Sequence, residues 1–570
     1  MALVMLVHRQ SVTQSPGQVA AQNLIVARLP DRQDSQNPVS LAGSLLAFAL
    51  LLVCLAAIGD SGPPTEAGVA TGQDWPDSQA AGGPTDPATA PLPGYRPIYV
   101  PPPTQAGTQT AGFQISWSAA GCPAPPAGAT AALDYAAGIW AALISSPVPI
   151  RVSACWSSTL PGNALATGWP VAYARNFPGA AMADTFYGIA LANAIAGQDL
   201  SPVAYHISIA FNATAAWSFA TGSAPPVGQY DFVSAALHEL GHGLGFVGWM
   251  YESYNVGFCG TGPYAHLKPW CPTPYDRLAT DSGGTPLLSY LTPDPRVLGG
   301  KLKSDARFNG PNARARNGDS SVKLYTPAQW ADASYLHLDD SVAGGQTIMK
   351  RGLAQGERIH NLSQPERGLF HDLGWVPAGS DPYLNSGGPL ALRVGRSASF
   401  SATLVWPAYA GQTMTYAWSA TEQAPVNHTS RGQSDTASFG WQTPGVKLVM
   451  VRATGATAPA GATRAVLVFN VALSGPATGS VGASYTFNAA LAPEDRLIPD
   501  VTYRWQATGQ ADVAHPGLAA TDSATFSWGT GGAKTITVTA TIAGEAAAAT
   551  HTISLPGLDR FVYLPVVVKR

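Results

Sequence analysis

The sequence predicts a multidomain protein in which one α+β domain is followed by two all-β sandwiches. Three observations support this fold class: helix-like and strand-like segments alternate in the middle of the chain, one of these helices carries the residues HELGH, and the last third repeats itself. At 570 residues the chain can hold three or four domains of about 100–200 residues each. Hydrophobic residues make up 46% of the sequence, which suffices for several cores.

The first domain is predicted to span residues 108–378. ATAALDYAAGIWAALI (129–144) has the pattern of a helix, and VPIRVSACW (148–156) that of a strand. ALANAIAG (190–197) predicts a short helix and YHISIAFN (205–212) an alternating strand. The helix with the HELGH residues follows.

The last third contains two similar units, predicted as sandwiches over 385–472 and 473–556. TYAWSAT at Thr415 returns as TYRWQAT at Thr502, an offset of 87 residues. At that offset several residue pairs coincide without gaps, among them Trp418/Trp505, His428/His515 and Asp435/Asp522. Alternating short apolar runs with a tryptophan in each unit are typical of β-sandwiches. No carboxylate or histidine neighbours His428 or His515 in the sequence, so we expect both to be structural.

The N-terminal region predicts export. Residues 1–59 contain the apolar run LAGSLLAFALLLVCLAAIG (41–59), which fits a signal peptide or a membrane anchor. Residues 60–107 are rich in Pro, Gly, Ala and Thr and predict a linker or a short pro-segment. The tail, residues 557–570, fits a last strand or a sorting element. We therefore expect a secreted or cell-surface protein.

The cysteines support an oxidising location. Of the five in the chain, one lies in the apolar run and four remain. We expect the local pairs Cys122–Cys155 and Cys259–Cys271, although the sequence alone permits other pairings. Charged residues make up only 11% of the chain, the net charge is −3, and basic residues do not cluster. This composition argues against nucleic acid as a partner.

The HELGH helix predicts half of a metal site. Its apolar residues share one face, and His238, Glu239 and His242 lie roughly opposite. Asp231 is the expected N-cap, and the glycines after His242 should end the helix. Two imidazoles one turn apart can bind zinc, and an adjacent glutamate can take a proton from a zinc-bound water.

The third metal ligand is left open by the residues themselves. The position six residues after His242 is Gly248, which has no ligand atom in its side chain. The candidates further along the chain are Glu252, His266, Asp276, His337, His360 and His371.

The stretch SYLHLDDSVAGGQTIMKRGL (334–353) resembles part of a known family. HELGHGLGF, a long insertion, His337 and then Met349 twelve residues later are together similar to the leishmanolysin-type metzincins. The resemblance covers about 113–375 and implies a metzincin-like fold. It also implies His238, His242 and His337 as zinc ligands, Glu239 as the catalytic base and Met349 as the methionine of a turn beneath the metal. The long insertion and the small number of cysteines depart from the family pattern.

The predicted function is that of a secreted zinc metalloendopeptidase acting on protein or peptide substrates, with Zn²⁺ as its cofactor. The C-terminal units resemble the immunoglobulin-like or PKD-like modules of secreted enzymes, for which a polysaccharide or cell-surface ligand is expected. Two alternatives stay open at this point. One is an inert adhesion or binding protein, and the other is a zinc amidase that acts on cell-wall peptides.

Overall fold

The computed structural model describes residues 69–71, 88–103, 111–160, 164–250, 272–290, 295–331, 333–379, 381–455, 459–493, 501–517 and 520–557. The apolar run at 41–59, the predicted pair Cys259–Cys271 and the tail from 558 onward lie outside these ranges. Among the helices within them, none is both long and apolar enough to cross a membrane.

The chain is multidomain and mostly β, with several sheets and few helices, so this part of the predicted fold class is confirmed. The α-helices are α1 (Ala129–Ala141), α2 (Ile189–Ala196), α3 (Phe232–Gly243), α4 (Pro274–Leu278), α5 (Pro295–Leu302), α6 (Pro311–Ala315) and α7 (Gln364–Leu373). Two short 3-10 helices cover Leu287–Tyr290 and Val342–Gly345.

The strands that precede the two C-terminal units are short. They are β1 (Val69–Thr71), β2 (Ala88–Tyr95), β3 (Tyr99–Val100), β4 (Phe113–Trp117), β5 (Ile144–Ser145), β6 (Ile150–Ser157), β7 (Ala166–Pro170), β8 (Ala172–Ala174), β9 (Tyr187–Gly188), β10 (Ile207–Asn212), β11 (Trp217–Ser218), β12 (Tyr230–Asp231), β13 (Ala279–Thr280), β14 (Arg307–Phe308), β15 (Val322–Lys323), β16 (Gly352–Gln355), β17 (Arg358–Ile359) and β18 (Val376–Pro377). The helices and strands predicted around 129–212 are confirmed to within a few residues.

The region before the two C-terminal units contains a six-stranded sheet with the strand order β16-β2-β7-β10-β6-β4. Strands β4, β6 and β10 run parallel, and β7 pairs antiparallel with β10. Because β6 and β10 alternate buried and half-buried residues, one face of the sheet is apolar and packs on α1 and α3. The sheet therefore positions the HELGH helix, α3.

Part of the segment predicted as a linker or a short pro-segment (60–107) belongs to this sheet, so residues 88–95 are not an unstructured linker. The first two residues of β2 pair antiparallel with β7, and the following ones pair parallel with β16. Upstream, β1 pairs with β8, and downstream β3 pairs with β17. Composition does not reveal these strands, because the segment is held mainly through its backbone, which requires few apolar side chains.

The predicted pair Cys122–Cys155 is confirmed as a disulfide. It ties the segment after β4 to the middle of β6, two strands that are also parallel neighbours in the sheet. A link of this kind restricts the unfolded chain more than it changes the folded one.

The last third is all-β, as predicted. Its strands are β19 (Tyr383–Gly387), β20 (Ala391–Arg393), β21 (Ser397–Val405), β22 (Met414–Ala420), β23 (Val426–Ser430), β24 (Ser434–Gly440), β25 (Gly445–Thr454), β26 (Ala460–Ser474), β27 (Ser484–Ala492), β28 (Val501–Ala507), β29 (Val513–Gly517), β30 (Thr521–Ser527), β31 (Gly532–Ile542) and β32 (Glu545–Leu555). Each of the two units has its own apolar core, with Trp418 in the first and Trp505 in the second.

One long strand joins the two units. The first half of β26 pairs with β25 of the first unit, and its end pairs with β27 of the second. The predicted boundary between residues 472 and 473 therefore falls inside a continuous strand. A shared strand leaves no flexible linker at this point.

The repeated histidines have carboxylate partners, which corrects one expectation. In the first unit Asp435 accepts hydrogen bonds from His428 Nδ1 at 2.8 Å and from Trp418 Nε1 at 2.7 Å. Asp522 does the same in the second unit, with distances of 2.8 Å to His515 and 2.7 Å to Trp505. The structural role expected for both histidines agrees with these contacts, whose partners lie on the next strand along the chain, beyond the near neighbours in sequence.

The first unit packs directly on the N-terminal part. The side chain of Asn312 in α6 exchanges two hydrogen bonds with the backbone of Gly461, at 2.7 and 2.9 Å. The backbone of Ala465 in β26 bonds with Ala181 and Ala183, two residues that follow β8. These contacts fix β26 against the domain that contains α3.

His206 gives the fold an acid-sensitive contact. Its side chain is buried, and Nδ1 accepts a hydrogen bond from the Arg151 backbone at 3.3 Å. Burial, with help from the nearby Arg151 guanidinium, lowers the pKa of His206 to about 4. As the pH falls, His206 therefore takes up a proton in the unfolded chain at a higher pH than in the folded chain. The free energy of unfolding decreases for this reason between about pH 6.5 and pH 4.

We expect His206→Gln to remove part of this acid sensitivity. Glutamine does not take up a proton, so the His206 contribution to acid unfolding, roughly 2–3 kcal/mol, should disappear. Urea titrations at pH 7.5 and pH 4.5 measure the effect. The difference in unfolding free energy between the parent and the His206→Gln variant should be smaller at pH 4.5 than at pH 7.5. Equal losses of unfolding free energy in both proteins would contradict the role of His206 in acid sensitivity.

Candidate metal centre

Helix α3 has well-defined ends, and both shape the site. At its start the Asp231 side chain accepts a hydrogen bond from Ser234 N at 2.8 Å, so the predicted N-cap is confirmed. The helix ends at Gly243, and Gly245 follows with a φ of 109°, a conformation that favours glycine. The chain reverses there and brings the carbonyl of Phe246 back to His242.

Three imidazoles converge next to α3. His238 Nε2 lies 2.9 Å from His242 Nε2 and 3.2 Å from His337 Nε2, and all three side chains are buried. The ligand atoms of the three residues lie within 4.8 Å of one another. The structure thus brings His337, almost a hundred residues away in sequence, to the two histidines of the helix.

The other nitrogen of each ring is occupied by a backbone carbonyl. His238 Nδ1 donates to Ile348 O at 2.6 Å, His242 Nδ1 to Phe246 O at 2.8 Å, and His337 Nδ1 to Ala333 O at 2.8 Å. In a neutral ring this bond places the only proton on Nδ1 and leaves a lone pair on Nε2.

The electrostatics keep these rings neutral at pH 7. Burial lowers the pKa of His238 to about 4 and that of His337 to about 3. For His242, burial and the two neighbouring histidines hold the pKa well below its usual range. Three unprotonated Nε2 atoms therefore face one another, an arrangement that is repulsive unless a cation lies between them.

Zinc fits this set of donors. At a Zn–N distance of 2.0–2.1 Å, tetrahedral geometry separates two ligand nitrogens by about 3.3 Å. The two Nε2 separations quoted above are close to that value. Three neutral imidazoles are also the protein ligands of one known class of catalytic zinc sites, in which water takes the fourth position. His238, His242 and His337 are thus the residues that would hold the ion.

Glu239 lies beside the histidines and is fully buried. Its Oε1 accepts a hydrogen bond of 2.5 Å from the hydroxyl of Thr89 in β2. On its other side is β7, where a Cβ added to Gly168 would lie 2.8 Å from the Glu239 Cβ. Glu239 is thus held between α3, β7 and the N-terminal strand β2.

Met349 packs under the helix. A Cβ added to Gly241 would lie 2.5 Å from Met349 Sδ, so the sulfur touches α3 between its two histidines. The backbone N–H of Met349 donates to Glu366 Oε1 at 2.7 Å, and its carbonyl accepts from Leu338 N at 2.7 Å. The last bond ties the methionine segment directly to the residue after His337.

The remaining sequence candidates for the third ligand lie elsewhere or are not described. Glu252 and His266 fall outside the described residues. Asp276 accepts hydrogen bonds from the Tyr335 hydroxyl and from Trp249 N. His360 Nε2 bonds to Asp231 at 2.8 Å, and His371 lines a cavity with Trp140 and Phe370.

Sequence reasoning missed several residues that shape the site. Thr89 was placed in a linker, and the carbonyls of Ala333, Phe246 and Ile348 are backbone groups with no signal in the sequence. Trp140 was also missed. Its Nε1 donates to Leu237 O at 3.0 Å, in the turn of α3 that carries His238. Its position in the predicted helix 129–144 was the available signal.

We expect Gly168→Ala to destabilise the domain. The added Cβ would lie 2.5 Å from the Glu239 carbonyl oxygen, and because both partners are backbone neither can move away cheaply. Overpacking of this kind costs about 1–3 kcal/mol. Thermal unfolding measures the loss, with Gly112→Ala as the matched control, because nothing lies within 4 Å of its added Cβ. An unchanged midpoint in Gly168→Ala would contradict the close packing of β7 on α3.

Comparisons with known proteins do not identify the chain. No family model and no curated protein matches it. Two solved structures, each described as a marsupial T cell receptor, are similar to about 30% of the chain. The first has 8% identity and a TM-score of 0.20, with 30% of this chain and 71% of that chain covered. The second has 10% identity and a TM-score of 0.13, with 31% and 72% covered. At these scores the likeness carries no argument about fold or function.

Proposed function

We propose that the chain is a zinc-dependent endopeptidase. The observation that carries this proposal is the convergence of three buried imidazole nitrogens whose protons lie on the opposite side of each ring. A buried glutamate, Glu239, stands beside them in the helix. Metal-assisted hydrolysis uses three such ligands together with an adjacent carboxylate.

When bound, zinc would polarise a substrate carbonyl and lower the pKa of a bound water to about 7. The side chains of the protein would carry out the remaining steps. Glu239, beside His238, can accept the proton of the attacking water and return it to the leaving amine. His238, His242 and His337 are fixed by their carbonyl partners, so the site is rigid before a substrate arrives.

A metzincin-like domain stays part of the proposal. The packing of Met349 against Gly241 and its hydrogen bond to Leu338, next to His337, support it. Action outside the cytoplasm is also proposed, and the Cys122–Cys155 disulfide is consistent with it. A polysaccharide or cell-surface ligand for the C-terminal units stays a prediction.

The test measures metal content and hydrolysis together. The full chain should contain one zinc per molecule by atomic emission, and it should cut a denatured protein at internal bonds, with new amino termini found by mass spectrometry. A strong chelator should stop the reaction, and added zinc should restore it. Because Thr89 contacts Glu239, both measurements are also made after a cut between Pro103 and Ala111. A chain that holds zinc and cuts nothing in either form would overturn the proposal.

A further inference from the structure

Strand β2 lies across the proposed catalytic base. Thr89 and Glu239 are both buried, and the Thr89 hydroxyl donates to the carboxylate that would have to accept a proton from water. This bond competes with a water molecule for that oxygen of the carboxylate.

The backbone of this segment is held as an extended peptide in a groove. On one side Leu165 N donates to Thr89 O at 2.8 Å, next to β7. On the other side Ala90 N donates to Arg351 O at 3.3 Å and Arg96 N to Gln355 O at 2.8 Å, along β16. The groove is therefore bounded by β7, which touches Glu239, and by β16, which follows Met349.

The segment contributes little to the core of the domain. Within residues 89–103 the only buried apolar side chain is Leu92, which does not belong to the main apolar cluster, while the half-buried Ile98 and Val100 pack against that cluster. Pro91 and Pro93 have no N–H to donate, so the strand forms fewer ladder bonds than its length allows. Gly352 leaves space for the strand, because a Cβ there would lie 2.3 Å from Ala90 O.

From these contacts we infer that residues 88–103 are an internal inhibitor, which occupies a peptide-binding groove between β7 and β16 and blocks Glu239 through the Thr89 hydroxyl. The inference rests on the proposed peptidase function. The segment binds as an extended peptide would, through its backbone, and full activity requires its departure. Of its apolar side chains, only Ile98 and Val100 pack against the main apolar cluster of the domain that contains α3.

The test separates the segment from the domain without deleting it. A recognition sequence for a site-specific protease replaces residues 104–110 of the full chain, and an uncuttable version serves as control. Before the cut the segment is held at a high effective concentration, which is lost when the chain is severed and diluted to micromolar levels. Hydrolysis of a fluorogenic peptide should then rise at least about tenfold.

Addition of a synthetic peptide of residues 88–103 should reverse the rise, and a Thr89→Val peptide should inhibit at least about fivefold more weakly, because it lacks the hydrogen bond to a charged group. In the uncut chain, Thr89→Val should raise hydrolysis by a similar factor, while Thr89→Ser, which keeps the hydroxyl, should not. These two variants test the hydrogen bond between Thr89 and Glu239 in the uncut chain.

The outcomes are distinct. Equal rates before and after the cut, both abolished by a chelator, would overturn the inference and leave the peptidase proposal standing. A severed chain that unfolds or loses zinc would make the segment a permanent strand, which also overturns it. If neither form hydrolyses peptides, the proposed function fails, and with it the role of inhibitor. Fluorescence anisotropy of the labelled peptide would then show whether the groove binds it at all.

Discussion

Replacement of Glu239 by glutamine should lower peptide hydrolysis by about 10²–10⁴-fold without loss of zinc. General acid–base catalysis by a positioned side chain typically contributes that factor. Glutamine has the size of glutamate and can still accept the hydrogen bond from Thr89, so the packing around it should survive. Because Glu239 is not one of the three converging side chains, the metal content should stay at that of the parent.

The measurement is kcat/KM for a fluorogenic peptide, with zinc determined on the same samples, in the chain severed between Pro103 and Ala111. Glu545→Gln is a suitable control. Glu545 is another buried glutamate in the second C-terminal unit, where it bonds to Arg396 of the first unit, and its replacement should leave hydrolysis unchanged. A Glu239→Gln protein that keeps more than a tenth of the parental rate would exclude Glu239 as the base.

The helix of the site could be predicted because its pattern is local. The apolar face of α3, the Asp231 cap and the glycines at its end are all encoded within fifteen residues, and each has the predicted role. The features of the helix depend on periodicity and turn chemistry, which a single sequence displays. The pair Cys122–Cys155, which was predicted as a local pair, is also confirmed.

His337 could be nominated only by resemblance. Nothing in its own surroundings distinguishes it from His360 or His371, and its approach to α3 depends on tertiary structure. The bond between Leu338 N and Met349 O shows why the spacing of His337 and Met349 was informative, since the two segments are hydrogen-bonded neighbours.

The strands within residues 88–103 could not be predicted, because backbone pairing leaves no trace in composition. A segment with six prolines and a glycine satisfies every criterion for a linker, yet its N–H and carbonyl groups find partners on β7 and β16. The partners of His428 and His515 were missed for a related reason. Asp435 and Asp522 lie seven residues further on, on the next strand along the chain, which belongs to a different sheet, and only the packing of the two sheets brings them close.

His337→Ala should reduce zinc affinity at least about 100-fold and abolish hydrolysis. Loss of a partner that merely orients a ligand typically costs 10–100-fold in affinity, and His337 would be a direct ligand. The two histidines of α3 would then hold the metal alone. His337→Gln is made in parallel, because it fills more of the buried space and separates loss of the ligand from loss of packing.

His371→Ala is the matched control for this experiment. His371 is a histidine of the same domain that the sequence also offered as a third ligand, but it lies in the cavity with Trp140 and Phe370. Its removal should leave zinc affinity, measured by competition with a chromogenic chelator, within about twofold of the parent. If instead the His337 variants keep parental zinc affinity, the third ligand lies elsewhere, and Glu252 and His266, outside the described residues, become the next positions to replace.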